Sequence, residues 1–256
     1  MATEENPVLT VEGLVGGYGN VMVLNGTSFS VPRGAITTVI GPNGAGKSTV
    51  FKAIFGLIDV RRGSIIFEGK DVTRRSPAQL LKLGISYVPQ GRNIFPELSV
   101  LHNLELGGYS APAGVRMAER IESVLQRFPM LCSKLHAQAS TLSGGQQKLL
   151  EIARAMLLEP RLLLIDEPSI GLSPLMVQET FDILTEMRNR GVSVLMVEQN
   201  AKSALQRSDY GLVLESGETR LFGPAAEILA DPRVGQLFLG GGISAPLVAR
   251  PASRIH

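Results

Sequence analysis

Two spacings of apolar residues alternate along this chain: short unbroken or every-other-residue runs edged by glycine and proline, and stretches where apolar residues recur every three or four positions. The first spacing predicts strands and the second helices. Pro7 to Leu14, Leu24 to Val31 and Ser64 to Phe67 read as short strands separated by glycine turns, a small antiparallel piece. Ile36 to Ile40 and Ile85 to Pro89 read as further strands, and Val50 to Leu57 as a helix. From Gly91 to about Met156 the pattern turns helical, through Val115 to Phe128 and Gln147 to Leu158, with no strand between. Arg161 to Asp166 is then a run of aliphatics that suits a buried strand. Val177, Phe181, Leu184 and Met187 follow at helical spacing up to Gly191, a helix terminator, and Val192 to Val197 is the next strand. Strand, helix and strand in that order predict a parallel crossover, hence an α/β sheet.

At 256 residues the chain is near the limit of one hydrophobic core, so intimate subdomains are expected. The pattern assigns 1–90 and 157–239 to a core that includes the antiparallel piece, and 91–156 to an inserted helical subdomain. The tail 240–256, rich in Gly, Ala, Ser and Pro, is expected to be mobile. The apolar fraction, 44%, is ordinary for a globular protein, and a formal charge of +2 is too small for a nucleic-acid footprint. A single cysteine, Cys132, excludes an internal disulfide. Met1 to Asn6 is polar and acidic, unlike a signal peptide, and no apolar run approaches the roughly 18 residues that span a bilayer. The expected location is cytoplasmic, with any membrane role borrowed from a partner.

Between the strand ending at Ile40 and the helix from Val50 lies Gly41-Pro42-Asn43-Gly44-Ala45-Gly46-Lys47-Ser48-Thr49, which matches G-x-x-x-x-G-K-[ST]. Glycines at this spacing let backbone N–H groups converge on phosphates at the positive end of a helix. Lys47 would reach the outer phosphates and Ser48 would ligate Mg²⁺. The strand and helix on either side are the context the motif requires, so a nucleoside triphosphate is the expected ligand. Asp166 and Glu167 close a buried strand, at the sheet edge where ligands of α/β proteins sit. Asp166 fits a Mg²⁺ role and Glu167 a base that polarises water. Read alone, Asp-Glu-Pro also fits a turn that merely ends a strand.

Leu142-Ser143-Gly144-Gly145-Gln146, with the helix behind it, resembles the signature of ATP-binding cassette (ABC) ATPases. Ser143 and the bare backbone of Gly144 and Gly145 at a helix start make a second anion-binding end. The resemblance runs from about residue 8 to residue 239, with the motifs in the family's order. It implies a P-loop (RecA-like) parallel-sheet core, an antiparallel β subdomain and a helical subdomain. It also implies a head-to-tail dimer in which each ATP lies between one subunit's phosphate loop and the other's signature. Tyr18 falls where the family stacks an aromatic ring on adenine, although a Gly-Gly-Tyr-Gly turn is also a structural possibility. Gln90 matches the glutamine that touches Mg²⁺ and the attacking water. Glu167, Gln90 and Gln199 are thereby the catalytic candidates, and Ser48, Gln90 and Asp166 the Mg²⁺ candidates.

Two positions depart from the family pattern. Gln199 stands where histidine is usual, and it can donate a hydrogen bond but cannot become cationic. Ser173 stands where aspartate is usual. Together with Val88 to Val100 and Glu198-Gln199-Asn200-Ala201, these variations are similar to an ATPase of branched-chain amino-acid (LIV-type) importers. That likeness implies a sister ATPase subunit or a self-dimer, two membrane-spanning permease subunits and an extracytoplasmic binding protein. The chain would then sit on the cytoplasmic face of the membrane. Urea or short-chain amides as cargo, a soluble ABC ATPase outside transport, and a nucleotide sensor that does not hydrolyse remain the alternatives.

Overall fold

The computed structural model describes residues 7–111 and 114–238; the expected mobile tail 240–256 and the acidic start 1–6 lie outside them. The first half of the chain forms β1 (Leu9–Tyr18), β2 (Val21–Val31), β3 (Ile36–Ile40), α1 (Lys47–Ile54), β4 (Asp59–Phe67), β5 (Lys70–Asp71), α2 (Pro77–Lys82) and β6 (Ile85–Val88). Helices α3 (Val100–Gly107), α4 (Met117–Leu125), α5 (Pro129–Cys132) and α6 (Gly144–Met156) come next. The chain then continues through β7 (Leu162–Asp166), α7 (Pro174–Asn189), β8 (Ser193–Val197) and α8 (Ala201–Leu205). It closes with β9 (Tyr210–Glu215), β10 (Glu218–Pro224), α9 (Ala225–Ala230) and α10 (Pro232–Phe238).

Two sheets result. One is antiparallel, in the order β2-β1-β4-β5. The other runs β10-β9-β3-β8-β7-β6, parallel throughout except for the edge strand β10. Its central strands are apolar on both faces, and side chains two apart go to the same side. Leu162 and Leu164 of β7, and Leu195 and Val197 of β8, join a cluster with α1 and the antiparallel sheet. Leu163, Ile165, Val194 and Met196 point the other way, into a cluster with α3 to α7. The helical insertion therefore shares its core with one face of the parallel sheet. Gln90, Asp166, Glu167 and the phosphate loop all leave the sheet at one edge.

Several boundaries differ from the sequence reading. The first two strands are longer than expected because β1 runs through Gly13 as a bulge (φ 55°), with register shifts on both neighbours. The first helix stops at Ile54 rather than Leu57. Gly56 follows at φ 68°, where an added Cβ would lie 2.3 Å from the Arg75 carbonyl oxygen. The helix expected over Val115 to Phe128 is shorter, Met117–Leu125, and Pro129 begins a separate turn. Helix α3 has no counterpart in the apolar pattern read above; Ser99 caps it by accepting from the His102 N–H. No helix among the described residues is long and apolar enough to cross a membrane.

Candidate functional site

The phosphate loop is built by glycine where only glycine fits. Gly44 and Gly46 have φ of 81° and 97°, and a Cβ on Gly41 would sit 2.1 Å from the Leu214 carbonyl oxygen of β9. The loop thus rests directly on a core strand. Helix α1 begins at Lys47 with neither a side-chain cap nor an acidic residue in its first turn, so its N–H groups and positive dipole end are left for an anion. Lys47 Nζ donates to the carbonyl oxygens of Gly41 and Pro42 at 2.8 and 3.0 Å, curling the side chain back over the loop. Burial holds the Lys47 ammonium below its ordinary pKa, and the nearby carboxylates of Glu167 and Asp166 oppose that shift.

Strand β7 delivers the two carboxylates. Asp166 is buried, and its Oδ1 has no hydrogen-bond partner. Burial raises its pKa, while the hydroxyl of Ser48 lies close enough to lower it. Glu167 turns out of the strand with φ 49°, a left-handed conformation rare for a residue with a side chain. Its backbone N–H is held by the Val197 carbonyl oxygen at 2.9 Å. Its carboxylate then accepts from two amides. Gln90 Nε2 donates to Oε2 at 2.7 Å, and Gln199 Nε2 donates to both oxygens at 2.9 Å. Three residues far apart in the chain, each at the end of its own parallel strand, therefore meet beside the phosphate loop.

The family model described as ABC transporter matches residues 24–170. The chain belongs to the ABC transporter family. A branched-chain amino acid transport ATP-binding protein of Pseudomonas aeruginosa, BraG, is 39% identical over 88% of this chain and 96% of its own length. A probable branched-chain amino acid transport ATP-binding protein of Archaeoglobus fulgidus, LivF, is 36% identical over 88% and 95%. The lipopolysaccharide export ATP-binding protein LptB of Acidithiobacillus ferridurans is 32% identical over 91% and 97%. Among solved structures, the ADP conformation of the ABC transporter cassette MJ1267 superposes with a TM-score of 0.83 at 31% identity, over 91% of this chain and 99% of that one. The chain is thus a nucleotide-binding ABC ATPase, the ATP-binding subunit of a transporter.

The remaining family motifs are distributed as follows. Tyr18 ends β1 and is 44% exposed, and Lys52 Nζ of α1 lies 5.5 Å from its ring centroid. Ser143 caps α6 in a reciprocal box: Gln146 N–H donates to Ser143 Oγ, and Ser143 N–H donates to Gln146 Oε1. Lys134 Nζ also donates to Gln146 Oε1, at 3.1 Å. Gly145 faces Met176 at the start of α7, where an added Cβ would be 2.6 Å from Met176 Cγ. No hydrogen bond among the described residues joins Leu142, Ser143, Gly144, Gly145 or Gln146 to the phosphate loop of the same chain. Ser173, the departure from aspartate, caps α7 by accepting from Met176 N–H, a task serine and aspartate perform about equally.

Sequence reasoning missed three parts of the site. Glu198 is buried, and it accepts from the Ser169 N–H and hydroxyl at 2.9 and 2.7 Å, tying the loop after Glu167 to Gln199. Its only sequence signal was its place beside Gln199. Gly217, in the β9–β10 turn, donates its N–H to the Ala45 carbonyl oxygen of the phosphate loop at 2.9 Å. Lys148 and Glu151 form a buried ion pair on α6, visible in the sequence only as two charges three apart.

Proposed function

We propose that this chain hydrolyses ATP for an ABC importer of branched-chain or other hydrophobic amino acids, working as one half of a head-to-tail dimer. The observation that carries the catalytic reading is the meeting of the Gln90 and Gln199 amides on Glu167, beside Lys47 and Asp166. Gly41, Pro42, Asn43, Gly44, Ala45, Gly46, Lys47, Ser48 and Thr49 would hold the phosphates, and Tyr18 would stack on adenine. Asp166 suits Mg²⁺ because one buried oxygen has no partner and the Ser48 hydroxyl lies beside it. Ser48, Asp166 and Gln90 would hold the ion, which supplies charge neutralisation on the transferred phosphoryl group.

Glu167 acts as the base that orients and polarises the attacking water. Both of its oxygens accept from amides, Oε1 from Gln199 alone and Oε2 from Gln90 and Gln199. A γ-phosphate is a stronger, charged acceptor for Gln199, and turning to it would leave Glu167 Oε1 to accept from water while Gln90 keeps Oε2. The N-terminal end of α6 serves the ATP held by the partner subunit.

A groove of about 250 Å³ lined by Tyr87, Val88, Asn93, Leu106 and Arg154, with Phe95 and Tyr109 exposed, supports docking of a permease near Gln90. The sister ATPase, two permease subunits, the extracytoplasmic binding protein and the cytoplasmic face of the membrane follow from the LIV-type resemblance. The cargo rests on the likeness to BraG and LivF.

The test is uptake of labelled leucine and labelled urea by cells lacking this gene, complemented with wild type or with Lys47→Ala. Loss of leucine uptake, rescued by wild type alone, is expected. Loss of urea uptake only would keep the machine and change its cargo. Intact uptake with lipopolysaccharide missing from the surface would move the chain to the LptB reading, and no change in any of them would end the transport proposal.

A further inference from the structure

Gln90 leaves β6 two residues after the strand ends, and the loop that follows it is held by one face of α6. Lys148, Glu151 and Arg154 lie three apart and so share that face. Lys148 Nζ pairs with Glu151 Oε2 at 2.6 Å, their side chains 6% and 3% exposed, and also donates to the Gly91 carbonyl oxygen at 3.2 Å. Glu151 Oε1 accepts from the Asn93 N–H. Arg154 donates to the Asn93 carbonyl oxygen at 2.6 Å, and its guanidinium lies 5.2 Å from the centre of the Phe95 ring. Asn103 of α3 completes the hold, donating to and accepting from the backbone of Phe95 at 2.9 Å. Gly91, Asn93 and Phe95 are thus tied to α6 and α3, while the Gln90 side chain reaches across to Glu167 at the end of β7.

A buried ion pair is a poor way to gain stability, since both charges must be desolvated and apolar side chains of similar volume often serve as well. What the charges add is direction: charge-assisted bonds to particular backbone atoms, which apolar contacts cannot specify. The same helix presents Ser143, Gly144 and Gly145 at its start, about one turn before Lys148.

We propose that Lys148, Glu151 and Arg154 are positioning residues for hydrolysis: they make the loop after Gln90 one body with the signature helix, so the location of α6 sets where the Gln90 amide meets Glu167. The proposal rests on the catalytic reading of Gln90 and Glu167 given above.

The test is the pair variant Lys148→Met/Glu151→Leu in the full chain. Changing both partners avoids leaving one buried charge alone, and both replacements are good helix formers of similar size. Melting temperature, mant-ATP binding in the presence of Mg²⁺, steady-state hydrolysis and amide exchange over 91–95 are measured against wild type. The expected result is a folded variant whose Asn93 and Phe95 amides exchange at least about tenfold faster, because their local anchor is gone. Binding of mant-ATP and KM should stay within about twofold while kcat falls about tenfold or more, since a misplacement near 1 Å can cost about 10²-fold. A role in packing alone would lower the melting temperature without splitting kcat from KM. Unchanged exchange, or faster exchange with kcat within about twofold of wild type, would overturn the proposal. Gln90→Ala is run in parallel. Full kcat in that variant would remove the reading of Gln90 itself, whereas a loss there with full kcat in the pair variant would overturn the positioning role alone.

Discussion

Gly217→Ala should be far more damaging than Gly69→Ala, although the two glycines share one backbone conformation, φ 75° and 76°. An added Cβ at Gly69 meets nothing within 4 Å, whereas at Gly217 it would lie 1.9 Å from the Val23 carbonyl oxygen and 2.9 Å from Leu24 Cα. Both replacements place a side chain in the left-handed region, at about 1–2 kcal/mol. Both also recover about 0.4–1 kcal/mol from a less flexible unfolded chain. These contributions cancel between the two variants, and what remains is the collision with β2. Its atoms belong to the backbone of a paired strand and cannot swing away, so about 1–3 kcal/mol of overpacking is expected at Gly217 alone. At about 2–4 °C per kcal/mol for a chain of this size, Gly217→Ala should melt roughly 2–12 °C below Gly69→Ala by calorimetry. The effect should reach the nucleotide as well. Gly217 N–H holds the Ala45 carbonyl oxygen, and its own carbonyl accepts from Asn25 N–H and Thr27 Oγ1 at 2.9 and 2.6 Å. ATP affinity should therefore fall in Gly217→Ala and stay unchanged in Gly69→Ala. Equal melting temperatures in the two variants would refute the reasoning.

Three further outcomes are expected. Glu167→Gln should bind ATP like wild type but lose about 10²–10³ in kcat, the cost of removing one well-placed group from a preorganised site; retention of the full rate in single-turnover assays would exclude it as the base. Asp166→Asn should abolish Mg²⁺-dependent hydrolysis yet stabilise the nucleotide-free chain at neutral pH. Burial raises the Asp166 pKa, so the folded chain binds its proton more tightly than the unfolded one, and stability is lost as pH rises from the unfolded pKa through the folded one. The gain in Tm from Asn should accordingly shrink as pH falls towards 4, and a gain that grows on acidification would contradict this sign. Tyr18→Ala should weaken ATP binding by about 1–3 kcal/mol, the worth of one base–aromatic stack, whereas Tyr18→Phe should not; equal binding by all three in a nucleotide titration would place adenine elsewhere.

The sequence alone determined what depends on neighbours along the chain. The strand Ile36–Ile40, the phosphate loop and the helix after it could be read because their signals are local: a continuous apolar run, glycines at fixed spacing and a Lys-Ser-Thr helix start. The same holds for β7, α7 and β8, whose order predicts the parallel pairing found between β7 and β8. Aliphatic runs that are buried on both faces of a sheet leave a continuous signature, which is why β3, β7 and β8 were legible, while the buried strand β9, which starts at Tyr210-Gly211, the bulge in β1 and the separate turn at Pro129 were not read.

Only the tertiary structure decided which side chains meet. Gln90, Glu167 and Gln199 converge because three strands lie parallel and end at one edge, a fact no local spacing encodes. Gly217 reads as an ordinary Ser-Gly turn until the fold places β2 against it. Lys148 and Glu151 look like a solvated helical pair, and it is the packing of α6 over the loop after Gln90 that buries them. Hydrophobic pattern and turn chemistry act over a few residues and leave a trace in the chain. Burial of a charge, close approach of two backbones and the aim of an amide are properties of surfaces that meet only after folding.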